Sequence, residues 1–272
     1  MKLRIHIMGI LFILTQNVQA QNDIDSAGVQ LQKWASMIQT DTTLSGRLYA
    51  DSLFTKKLVQ TLKQPFSYNY KLDSLKSIKQ ITSPDKAFKF YSWQVDLGDG
   101  TYRQRGAMQL PTQTGNLQLI PFFDQSDFVT NIGSGVTDSK HWMGAIYYDI
   151  IPTLWEGKIY YTLLGYDEYT NGISRKIVDI LHFENGQPLL GGDFFRYTPD
   201  PSFPSQPIDR LVYAYKKGSN AIIRYDTQSQ TLVISELTST ENDLHNPSTL
   251  VPSGVDIYFK WENGKWQMKG KK

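Results

Sequence analysis

Residues 143–183 read MGAIYYDIIPTLWEGKIYYTLLGYDEYTNGISRKIVDILHF. Three apolar and aromatic runs stand in this stretch, parted by short polar breaks. Met143–Ile151 stops at Pro152, Trp155-Glu156-Gly157-Lys158 leads into Ile159–Leu164, and Asn171-Gly172 precedes Ser174–Phe183. Runs of this length rich in β-branched and aromatic residues read as strands. Asn-Gly favours a tight hairpin because both central residues of a type I′ turn need positive φ. Joints this short connect antiparallel neighbours, since a parallel crossover needs a dozen residues or more.

The same texture extends outward. Ala87–Val95 turns through Leu97-Gly98-Asp99-Gly100 into Thr101–Leu110. Arg210–Tyr215, Ala221–Asp226 and Thr231–Leu237 follow one another across short loops, and Asp256–Trp261 meets Trp266–Lys269 across Glu262-Asn263-Gly264-Lys265. The expectation is a mainly β protein, α+β overall: an antiparallel meander of about ten strands closing into a barrel or stacking as a sandwich. Three stretches resist strand assignment: Asp124–Lys140, the proline run Thr198–Pro207, and Ser239–Gly254. A Ser83-Pro84-Asp85 turn before an aromatic strand suits a propeller blade, but it occurs once, and a propeller repeats its unit.

Before Pro65 the period is helical. Leu31, Trp34 and Ile38, then Leu44 and Leu48, then Phe54, Leu58 and Leu62 recur at spacings of three and four. Two short amphipathic helices are predicted, with Asp41-Thr42-Thr43 capping the second. At the start, Lys2 and Arg4 precede an apolar run from Ile5 to Leu14, and Val18-Gln19-Ala20 closes it. This is the layout of a secretory signal cleaved after Ala20, too short for a spanning helix of ~20 apolar residues. The chain is therefore read as a signal peptide over 1–20, a small helical region over 21–82 and an antiparallel β domain over 83–272, placed in the periplasm or secreted.

Charge and composition exclude several functions. The 272 residues carry 28 Lys+Arg and 26 Asp+Glu; once Lys2 and Arg4 leave with the signal, 26 of each remain. A neutral mature chain argues against nucleic acid as a partner. Cysteine is absent, which removes disulfides, thiolate catalysis and a lipidated cysteine anchor. No Gly-rich phosphate loop or Gly-x-Ser-x-Gly occurs. Ser134, Asp138 and His141 lie close in sequence, whereas the members of a triad are normally gathered from distant positions. His141, His182 and His245 stand singly, so no metal ligand set is read, and no cofactor is expected. His182 alternates with Val178 and Ile180 and should share their face. Asp96–Gly100 and Asp167–Gly172 cluster acids and glycine as a calcium loop would, but both lack its spacing and read as hairpin turns.

Aromatics are the unusual feature, with Tyr 16, Phe 13 and Trp 6. Tyr148, Trp155, Tyr161 and Tyr166 fall in one neighbourhood beside Asp167 and Glu168, and these six are the candidate binding residues. Outward rings would stack on a sugar or peptide; inward rings would pair across strands and stabilise the sheet. Asp167 and Glu168 could also supply half of a hydrolytic carboxylate pair.

The passage from Ser83-Pro84-Asp85 through Phe88, Tyr91 and Trp93 to Asp99-Gly100-Thr101-Tyr102, with Trp155–Asp167 and Trp261-Glu262-Asn263-Gly264-Lys265-Trp266, resembles an uncharacterised group of exported β-rich proteins of Bacteroidota-type bacteria. The resemblance implies a Gram-negative periplasmic or surface setting and carries no activity. The expected role is non-catalytic binding or assembly at the cell envelope, with a glycan or a protein as partner. The alternative is an envelope polysaccharide or peptide hydrolase working through unmarked carboxylates.

Overall fold

The computed structural model describes residues 26–129, 131–170, 172–197 and 206–272. The segment read as a secretory signal, Asn171 and most of the proline run lie outside these residues. The chain divides into two compact units, one ending at Ile78 and including Gln109–Leu119, the other formed by Lys79–Met108 and Ile120–Lys272.

The first unit contains two helices, α1 over residues 26–40 and α2 over Leu44–Leu62. Thr43 caps α2 by accepting from the Gly46 amide at 3.1 Å, and Asp41 Oδ1 in turn accepts from the Thr43 amide and hydroxyl. Leu31, Ile38, Phe54, Leu58 and Leu62 are buried. Leu44 and Leu48 are exposed, contrary to the expected stripe; Arg47, Ala50 and Asp51 occupy the buried face instead. Leu48 stands six positions before Phe54, and at about 100° per residue that turns it about 120° away from Phe54 around the helix. Gln109 donates to the Ser67 hydroxyl at 2.9 Å, and the Phe66 amide to the Gly115 carbonyl at 2.9 Å.

The second unit is built of antiparallel sheets, and none of them closes into a barrel. One runs in the order β1 (Lys79–Thr82), β2 (Lys89–Asp96), β3 (Tyr102–Leu110), β4 (Gln118–Phe123). Another runs β5 (Thr137–Asp138), β9 (Gln187–Leu190), β8 (Ile173–Glu184), β7 (Lys158–Asp167), β6 (Ile146–Trp155). The last runs β11 (Gln206–Ile208), β10 (Phe195–Tyr197), β16 (Lys265–Lys271), β15 (Leu250–Glu262), β14 (Thr231–Ser239), β13 (Ile223–Asp226). β12 (Leu211–Lys216) pairs along the first half of β8, whose second half pairs with β9. Among the described strands, β10 and β16 pair in parallel, which departs from the expected meander.

Several strands overrun the boundaries read from sequence. β6 passes through Pro152, which lies opposite Tyr161, and ends at Trp155. It has only one ladder partner in its sheet, and a proline lacking an amide hydrogen is tolerated on such an edge. Pro207 likewise sits in β11, the outermost strand of its sheet. Residues 250–254, read as loop, extend β15 against Leu237–Ser239. The two-residue turns are formed by Glu156-Gly157, Asn185-Gly186 and Asn263-Gly264, all at positive φ.

The β5–β9 sheet is covered on both faces. Leu164, Val178 and Ile180 on one face interdigitate with Phe195, Leu232, Ile234, Ile257, Phe259 and Trp266 of the β10–β16 sheet. On the other face Tyr161 meets Phe88 edge-on at 5.0 Å and Tyr147 meets Phe90 at 5.1 Å. Double coverage explains why β7 and β8 are nearly continuous apolar runs without clean alternation. The sandwich is cross-linked by the Trp266 indole, which donates to Thr162 Oγ1 at 2.8 Å with both side chains buried. Thr162→Val, which strands that donor, is expected to cost about 1–3 kcal/mol. The urea midpoint should fall with the slope unchanged; an unmoved midpoint would show that this bond contributes nothing. Among the described residues no helix is long and apolar enough to cross a membrane.

Candidate functional site

The acids named from sequence are held by the protein's own cations and donors. Asp167 is the last residue of β7 and is buried, not placed on a surface turn. Its Oδ1 accepts from Gln104 Nε2 at 2.7 Å, and Arg175 Nε lies 3.7 Å from its Oδ2. Burial pushes the Asp167 carboxyl up to about 6; Arg175 and the Gln104 hydrogen bond work against that rise, while the fields of Asp124 and Glu168 add to it. Glu168, the next residue, pairs with Lys217 Nζ at 2.8 Å and accepts from the Ser174 hydroxyl at 3.2 Å. Gln104 Oε1 and Arg175 Nε, both buried, find no hydrogen-bond partner among the described residues.

The aromatic candidates separate. Tyr161 is a core ring whose hydroxyl donates to Asp85 Oδ2 at 2.7 Å. Tyr148 is half-buried and donates to the Ile223 carbonyl at 2.7 Å; burial raises its phenol. The Lys176 ammonium lies 4.7 Å from the Tyr148 ring centre and 5.7 Å from that of Tyr166, so one cation joins these two tyrosines. Trp155 stands apart at the β6–β7 tip. There its ring packs on Gly264, where a Cβ would come within 2.6 Å of the indole.

Ser134, Asp138 and His141 do not form a triad. The Ser134 hydroxyl donates to the Asn131 carbonyl at 3.2 Å, while His141 Nδ1 lies 2.7 Å from Asp138 Oδ1. Asp138 also caps the Lys140 and His141 amides. His182 shares the face of Val178 and Ile180 as expected, between Tyr160 and Phe194. Its Nδ1 has no partner among the described residues, and burial lowers its pKa. Among those residues no group of three His, Asp or Glu gathers to hold a metal ion.

One feature escaped the sequence reading: a groove of about 440 Å³ at the end of the sandwich where the β6–β7 and β15–β16 hairpins meet. Pro152, Thr153 and Leu154 line one wall, Tyr225 and Gln230 another, and Lys260, Trp261, Glu262 and Trp266 complete it. Trp261 and Trp266 are directly opposed across the Asn263-Gly264 turn, so both rings occupy the inner face where the core runs out. Trp261 stacks on Phe194 at 6.4 Å and meets Trp266 edge-on at 5.7 Å. Its indole Nε1 is buried and has no acceptor among the described residues. Glu262, the single carboxylate in the lining, is paired with Lys269. The signal available in sequence was the pair of tryptophans placed symmetrically about a two-residue turn.

The fold is that of a mainly β protein with sandwich-like antiparallel sheets and helices in the amino-terminal part of its sequence. No protein-family model, curated protein or solved structure matches the chain.

Proposed function

We propose that this protein is an exported, non-catalytic binding protein of the cell envelope whose groove beside Trp261 takes a glycan. The observation that carries the reading is the Trp261 N–H, a buried donor with no acceptor among the described residues, on a side chain that lines an open groove. A buried donor is normally satisfied, and a ligand hydroxyl or an ordered water is what can satisfy this one. Thr153, Gln230, Lys260 and Glu262 supply further hydroxyl, amide and charged groups around the aromatic surface. Hydrolysis by paired carboxylates would need two acids facing across the cleft, and Glu262 alone is present in this lining. The signal at residues 1–20 and the neutral mature chain support the envelope setting.

Calorimetric titration of the exported protein with oligosaccharide fragments of envelope glycans tests this. Binding is expected, with Trp261→Phe weakening it about 5- to 10-fold through the lost indole donor and Tyr225→Ala weakening it further. No heat with any glycan, or unchanged affinity in both variants, would remove the proposal. Amino-terminal sequencing of the same preparation should read from Gln21.

A further inference from the structure

We propose that Asn185 is a modification site, converted with time to aspartate and isoaspartate, and that Trp155 protects the matching turn at Asn263 from the same reaction. The tripeptide Glu-Asn-Gly occurs at residues 184–186 and again at 262–264. Both copies form two-residue hairpin turns, with Glu184 opposed to Gln187 and Glu262 to Lys265. The backbones match closely: the asparagines stand at φ 51° and 52°, the glycines at 76° and 72°. In such a turn the ladder engages the flanking residues, and neither glycine amide makes a hydrogen bond to a described residue.

A free glycine amide is the nucleophile that this chemistry needs. Its nitrogen attacks the asparagine Cγ, a C–N bond forms, and the side-chain nitrogen leaves as ammonia carrying the proton that the glycine nitrogen gives up. Water then opens the five-membered imide at either carbonyl, which yields aspartate or isoaspartate. Glycine puts no Cβ in the path of the attack.

With backbone and sequence alike, the surroundings decide. Closing the ring rotates the Asn–Gly peptide and carries the glycine with it. At Gly186 there is room: a Cβ placed there would meet nothing within 4 Å, and residues 184–187 are all exposed. Gly264 is buried, and there the Trp155 indole would come within 2.6 Å of such an atom. The indole thus clamps the peptide that the imide has to turn, so this hairpin end must open locally before it reacts. Asn263 is itself exposed, so access of water does not separate the two sites. Conversion at Asn185 adds a negative charge beside Glu184, and isoaspartate lengthens that turn by one methylene. The same change at Asn263 would fall between Trp261 and Trp266, which line the groove. The protein therefore ages at a distance from the groove's own hairpin, whatever the groove binds.

The test is peptide mapping of the purified protein held for weeks in warm, mildly alkaline buffer, with conversion followed by mass and by isoaspartate-specific methylation. Each Asn-Gly of the chain, Asn171-Gly172 included, falls on its own tryptic peptide. In the folded protein Asn185 is expected to convert about 10-fold faster than Asn263, because only the second must open first. In urea, where Trp155 is no longer packed, the two rates should be alike. Trp155→Ala should bring Asn263 up to the rate of Asn185, and Trp155→Phe, which keeps a ring, should bring it only part of the way. Loosening of the whole sheet would speed both sites, so the ratio of the two rates is what each variant reads. Equal rates in the folded protein, a ratio unmoved by Trp155→Ala, or a difference that survives in urea would overturn the proposal.

Discussion

Arg210→Ala should unfold the β-sheet unit more readily than any other single substitution considered in this protein, at a cost of about 3–5 kcal/mol. The Arg210 and Asp179 side chains are 0% and 1% exposed, and Arg210 Nε lies 2.6 Å from Asp179 Oδ2. Asp179 sits on β8 between Val178 and Ile180, in a sheet whose two faces are both covered. Burial pushes its carboxyl up and Arg210 holds it down, so removing the guanidinium leaves an uncompensated charge in an apolar layer. Arg210 also donates to the Ile132 carbonyl at 2.7 Å and to Thr137 Oγ1 at 3.3 Å, while its own amide donates to the Gly133 carbonyl at 3.1 Å. The side chain therefore ties the Gly133-Ser134-Gly135 loop to the sheet.

For a unit of this size 1 kcal/mol corresponds to about 2–4 °C, so Tm should fall by roughly 6–20 °C. Cleavage by a broad-specificity protease should begin in residues 131–136. The double variant Asp179→Leu with Arg210→Met, which removes both charges and keeps the volume, should recover most of the loss. A single-variant cost under about 1 kcal/mol would mean that the pair is not a buried, ionised contact.

The loop in that network shows where sequence reading succeeds and where it stops. Local chemistry was legible: Thr43 caps α2, Asn263-Gly264 makes a two-residue turn, and β7 and β8 fall where their apolar runs lie. Short strands were not. β9, β10 and β11 have only three or four residues, too few for a period to emerge, and Pro152 read as a stop because sequence does not reveal that β6 is an edge. Non-local pairing was equally hidden. β12 joins β8, not its sequence neighbour β13, and that choice depends on which faces need covering. Of the candidate site, Tyr161 and Asp167 proved to be interior groups, while the groove draws on residues 152–154, 225–230 and 260–266, which no spacing rule connects. A lone acid inside the Ile177–Leu181 apolar run was the available sign that Asp179 has a buried partner.

Asp167→Asn should stabilise the protein at pH 8 by up to about 3 kcal/mol and leave its stability at pH 4 nearly unchanged. The carboxyl has a value of about 6 in the folded chain against an ordinary 3.8. Because the folded value is the higher one, the native state binds more protons than the unfolded state between roughly pH 4 and 6. Stability contributed by this group is thus greatest below pH 4, falls as pH rises through that window, and stays at its reduced level above it. A difference of about two pH units, at 1.36 kcal/mol each, sets the size. An Asn amide keeps the shape and carries no charge, and flipping the Gln104 amide would turn Oε1, unpartnered now, toward the new donor. Arg175 would keep the fields of Asp124 and Asp127 after the change. His182 titrates with the opposite sense, since burial lowers its value, so the informative quantity is the difference between the two proteins and not either curve alone. Urea denaturation at pH 4, 6 and 8 should give a difference that grows with pH and levels off above 6. If it is instead flat, Asp167 titrates alike in both states; if it favours the wild type at pH 8, the Arg175 pair outweighs the burial of the carboxylate.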